Sequence, residues 1–143
     1  MAETIAILLI TLLTNCSSFN EDDTGIAIKL SILVEDTVSE QSFSSDKPFH
    51  VMAFSREKAC KPFLPLFESD AYVTKDGQIK WVGKQRYWPG VFTKFIAYWP
   101  AESNVELDEK GHILSSDCIL IAETEPYYQF SENPTLIFHS PQN

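Results

Sequence analysis

The sequence is short of basic residues, glycine, cysteine and long apolar runs. Lys and Arg number 11 against 20 Asp and Glu, which gives a formal net charge of −9. Phosphate-backbone binding needs a basic surface, so this balance argues against a nucleic-acid binder. It argues equally against docking on anionic lipid through a polybasic patch. No apolar run reaches the ~20 residues of a membrane-spanning helix. His50, His112 and His139 are widely spaced, and no His or Cys falls at metal-ligand intervals. Asp22-Asp23, Asp108-Glu109 and Glu123-Thr124-Glu125 are acidic clusters, but none matches a calcium loop with its central Gly. There is no Gly-rich phosphate cradle and no nucleophile elbow. The reading therefore assigns no catalytic residue, no metal and no cofactor, and expects no enzyme. What is present is 143 residues, 44% hydrophobic and 13% aromatic. That much chain closes one core, and its aromatics set it apart from disordered sequences.

Residues 5–13 read Ile-Ala-Ile-Leu-Leu-Ile-Thr-Leu-Leu. This run has the length of a signal-peptide apolar core, ~7–15 residues. Cys16 follows at once, in Leu12-Leu13-Thr14-Asn15-Cys16-Ser17-Ser18. The arrangement resembles a bacterial lipoprotein signal, with residues 1–15 removed and Cys16 as the lipid attachment point. Residues 16–24 then form a polar acidic tether. The competing reading is a buried first strand or helix with a chance Cys. With Cys16 acylated, Cys60 and Cys118 remain as an even pair, available for one disulfide in an oxidising compartment. Two small apolar residues that never meet are the alternative.

Alternation starts at Gly25. Ile26, Ile28, Leu30, Ile32 and Val34 fall on one face of a period-2 strand. Residues 35–48 are Ser-rich and end in Pro48, a connection. Residues 49–55 form a short apolar strand. Residues 56–69, with two lysines and two prolines, read as a surface loop whose segment 63–67 tucks back under the sheet. Asp76-Gly77 between extended runs is a strong hairpin signal. Residues 91–99 are a strand closed by Pro100, residues 101–117 a polar acidic stretch, and residues 118–124 another strand. A last strand covers residues 135–139. Seven candidate strands with turns between them predict an all-β sandwich over residues 25–143. Its final strand is expected to leave an open edge.

The segment Trp81-Val82-Gly83-Lys84-Gln85-Arg86-Tyr87-Trp88-Pro89 precedes Phe92-Thr93-Lys94-Phe95-Ile96-Ala97-Tyr98-Trp99-Pro100. Together they resemble the aromatic signature of the Bacteroidetes fimbrillin family, in its Mfa-like branch. Phe49-His50-Val51-Met52-Ala53-Phe54, Asp117-Cys118-Ile119-Leu120-Ile121-Ala122 and Leu136-Ile137-Phe138-His139 resemble further family segments in the same order. The resemblance implies a transthyretin-like or immunoglobulin-like sandwich, the family's first domain, with the second absent. It also implies a lipid-anchored, surface-exposed outer-membrane location. The implied role is that of a fimbrial subunit or accessory adhesion component, with other subunits or surface molecules as partners. Strand donation to a neighbour is the implied mode of assembly.

The signature has its own physics. Trp81, Tyr87, Trp88, Phe95, Tyr98 and Trp99 each carry ~150–250 Å² of surface, enough to dominate a small core. An exposed platform stacking on glycans is the competing use of the same rings. The 26–34 strand suits donation, because main-chain bonds give affinity and alternate side chains fill pockets. The plain alternative is that it belongs to its own sheet.

Overall fold

A computed structural model describes residues 24–35, 46–108, 111–128 and 133–141. The expected signal segment, Cys16 and nearly all of the tether lie outside these residues. Among the described residues the chain is all-β, with ten strands. They are β1 (Ser31–Val34), β2 (Phe49–Arg56), β3 (Leu64–Val73), β4 (Ile79–Trp81), β5 (Phe92–Trp99), β6 (Val105–Leu107), β7 (Ile113–Ser116), β8 (Leu120–Glu123), β9 (Tyr127–Tyr128) and β10 (Thr135–Phe138).

The main sheet runs β4-β3-β2-β5-β8, and β9 also pairs with β5. Every pairing in it is antiparallel. β1 and β10 form a separate parallel pair, Ser31 opposite Thr135 through Val34 opposite Phe138. That pair joins both edges of the main sheet. On one side Ile79 N–H donates to the Leu30 carbonyl at 2.9 Å and Ile32 N–H to the Gly77 carbonyl at 2.7 Å. On the other, Ile121 and His139 exchange both backbone bonds, at 2.9 and 3.0 Å. The expected open edge is therefore closed: β10 lies between β1 and β8. An unpaired strand edge exposes a row of donors and acceptors, and the return of β1 beside β10 satisfies them.

Period-2 geometry sorts the side chains. Phe49, Val51 and Ala53 of β2, Phe95, Ala97 and Trp99 of β5, Leu120 and Ala122 of β8, and Leu136 and Phe138 of β10 all enter one core. Ile28 and Leu30 join them from the segment leading into β1. Phe49 and Phe138 meet edge-on, ring centroids 5.3 Å apart, which ties the main sheet to the β1–β10 layer. The result is a sandwich. Ser55 and Thr93 are polar intruders, and their hydroxyls bond each other at 2.8 Å, which meets the requirement that buried polar groups be paired.

The opposite face of the main sheet is also partly covered. Tyr98, Cys118 and Ile121 form a second cluster, with Met52, Val105 and Ile113 packed on it. Val105 and Ile113 come from the β6–β7 hairpin, which lies over that face. Residues 101–117 are thus not merely a polar connection but contain both strands of this hairpin.

Two other expectations need correction. Residues 64–69 are not loop; β3 already starts at Leu64. Pro65 is tolerated there because the β2–β3 register shifts between Ala53 and Phe54, and a bulge is one of the few places where a strand accommodates a missing N–H. The 26–34 strand pairs as a regular ladder only from Ser31, its earlier part being held by an isolated Ala27–Tyr87 bridge. The Asp76-Gly77 hairpin is present, with Gly77 at φ 75°.

Candidate functional site

Residues 24–35 occupy a slot between β4 and β10, and this slot is the candidate site. Its floor is made by the signature aromatics. Trp81 is 8%, Trp88 2% and Trp99 3% exposed, and Phe95 is fully buried. Trp88 and Phe95 pack edge-on at 5.7 Å, and Trp81 meets Phe67 in the same way at 5.5 Å. Tyr98 is also buried, but on the outer face under the β6–β7 hairpin. Tyr87 is half-buried and bridges Ala27. All three tryptophans of the chain are therefore core residues, and none offers a face for stacking on a sugar.

The occupant of the slot is held on both sides. Ile28 N–H donates to the Arg86 carbonyl and Trp88 N–H to the Ile26 carbonyl, each at 2.9 Å. Ser31 N–H donates to the Pro134 carbonyl at 3.0 Å and Glu35 N–H to the Phe138 carbonyl at 2.9 Å. Side chains reinforce this frame. Trp81 Nε1–H donates to the Ile28 carbonyl at 3.2 Å, and Thr24 Oγ1–H to the Trp88 carbonyl at 2.8 Å. Ile28 and Leu30 are fully buried, while Leu33 on the other face is 53% exposed. This combination of a two-sided backbone frame and alternate apolar pockets is the one a strand-addition site requires.

A second cluster was not legible in the sequence. His50 Nδ1 lies 2.7 Å from Asp70 Oδ1, and its Nε2 lies 3.6 Å from Glu68 Oε1. The imidazole leans on the Tyr98 ring at 5.3 Å. Sequence spacing hides the group; the antiparallel register, which sets His50 opposite both Asp70 and Tyr98, creates it. Burial raises the Tyr98 phenol above its ordinary value, and the Glu68 and Asp70 carboxylates push the same way. Burial likewise raises the Cys118 thiol, against a hydrogen bond to Ser116. A thiol held protonated is a poor nucleophile, so this cluster braces the sheet rather than offering an activated sulfur. Among the described residues no group of three or more His, Cys, Asp or Glu is arranged to hold a metal ion.

Cys60 and Cys118 are both free thiols. Cys60 is exposed in the turn after β2 and Cys118 is buried before β8, so the disulfide the sequence allowed is not formed. Among the described residues no helix is long and apolar enough to cross a membrane. Comparisons with protein-family models, with curated proteins and with solved structures return no match for this chain.

Proposed function

We propose that the protein is a cell-surface lipoprotein, anchored in the outer membrane through Cys16. In this reading it serves as a fimbrial subunit or accessory adhesion component and works through protein–protein contacts. The observation that carries the proposal is the slot between β4 and β10. It is lined by buried aromatics and filled by a segment whose apolar residues repeat every second position. The segment precedes the other described strands in chain order, so exchanging it for the same segment of a neighbour leaves the order of those strands intact. The fimbrillin-like order of aromatic segments supports the same reading. In this reading the role is contact rather than transformation.

Metabolic labelling with a palmitate analogue, combined with electron microscopy of cells with and without the protein, tests the proposal. Labelling that depends on Cys16, and surface fibres that depend on the protein, are the expected results. An unlabelled protein confined to the cell interior overturns it.

A further inference from the structure

The outer face of the main sheet is electrically polarised. Glu68 and Asp70 surround His50 near one end. At the other end, Arg56 and Lys94 project from neighbouring strands, in a register that sets Arg56 opposite Phe92 and Phe54 opposite Lys94. Both cations converge on one ring. The Arg56 guanidinium carbon is 4.3 Å, and the Lys94 Nζ 4.6 Å, from the Phe63 centroid. Among the described residues no carboxylate forms an ion pair with either, and the buried Arg56 Nε has no hydrogen-bond partner. Gly111 closes the far side: a Cβ placed there would sit 3.7 Å from Lys94 Nζ and 3.8 Å from the Phe54 ring.

Two like charges held on one ring, in a chain of net charge −9, need a reason. The ring offsets part of their repulsion through its quadrupole, but it accepts no hydrogen bond of the strength an oxyanion does. An oxyanion satisfies the guanidinium through parallel N–H···O bonds and draws on the ammonium as a point charge. Lys58 and Lys61, exposed on the intervening turn, add positive charge, and Glu57 on the same turn offsets part of it. We propose that Arg56, Phe63 and Lys94 form an oxyanion-binding site that takes a phosphate, sulfate or carboxylate group. The site is separate from the β1 slot and stands whether or not strand exchange occurs.

The test is an NMR titration of the full chain with inorganic phosphate, and separately with acetate, at constant ionic strength. Saturable shifts of the Arg56 side-chain N–H and the Phe63 ring are expected for at least one anion. Arg56→Gln and Lys94→Gln should each weaken that binding by about tenfold or more, the scale of a charge-assisted hydrogen bond. Lys80→Gln, on exposed β4, should leave it unchanged. Tighter binding of phosphate assigns the site to phosphoryl or sulfuryl groups, and tighter binding of acetate to carboxylates. Linear, unsaturated shifts with both anions, or equal weakening by Lys80→Gln, overturn the proposal. The measurement on the unmodified chain decides the matter even if a variant fails to fold.

Discussion

Leu30 and Leu33 are the same residue type three positions apart, on opposite faces of one strand. Leu30 is 0% and Leu33 53% exposed. Replacing Leu30 by Ala deletes three buried carbons. At ~0.8 kcal/mol for each methylene-sized group, the lost transfer energy is about 2.4 kcal/mol. The unrelaxed cavity adds about 1–2 kcal/mol more. A loss of roughly 3–4 kcal/mol is a large share of the ~5–15 kcal/mol that holds a domain together. It corresponds to a melting point lower by on the order of 15 °C for a chain of this length. Leu33→Ala should stay within about 0.5 kcal/mol of the parent. Urea unfolding followed by tryptophan fluorescence measures both, with the slope against urea unchanged. Equal losses, or a larger loss at Leu33, would refute the register, because a one-residue slip exchanges the two faces.

Three further expectations follow from the same packing. Gly77→Ala should cost about 1–2 kcal/mol in the same urea assay, because the position has φ 75° and an L side chain there is strained; there is room for the methyl, its nearest neighbour being the Ile32 carbonyl oxygen at 3.6 Å. The raised Tyr98 and Cys118 groups make stability pH-dependent on the alkaline side. Their contribution is fully present below the unfolded-state values, ~8.5 for Cys and ~10 for Tyr, and is lost as pH rises through the higher folded-state values. A Tyr98→Phe, Cys118→Ala double variant should flatten that alkaline fall in a melting-point profile, and an unchanged profile would dismiss the assignment. In timed alkylation with peptide mapping, exposed Cys60 should react at once and buried Cys118 only on unfolding; simultaneous labelling would contradict the burial.

Local chemistry made part of this fold legible before any coordinates. The Asp76-Gly77 turn, the strand stopped at Pro100 and the apolar 49–55 run all carry their signals within a few residues, and each is where it was expected. The signature aromatics were readable as core for the same reason, since five of the six are buried. What stayed hidden depends on distant pairing. β1 and β10 are parallel partners separated by about a hundred residues, and no local pattern announces such a contact. The β6–β7 hairpin is too polar to read as strand, because only Val105, Leu107 and Ile113 turn toward the sheet beneath and the rest face water. Pro62 and Pro65 made the start of β3 look like loop, and only the register shift opposite Phe54 explains why it is not. The His50–Asp70 contact needed the β2–β3 register, and a count from the turn between those strands misses it by one residue, because the register shifts between Ala53 and Phe54.

Peptide complementation puts the exchangeable-strand idea to direct trial. The chain lacking residues 17–35 is mixed with a synthetic peptide of residues 25–35, and binding and stability are followed by calorimetry and thermal melting. The account predicts saturable one-to-one binding that restores the melting point, abolished when Leu30 of the peptide is replaced by Asp and retained when Leu33 is. A shortened chain that remains a fully folded monomer and ignores the peptide would contradict it.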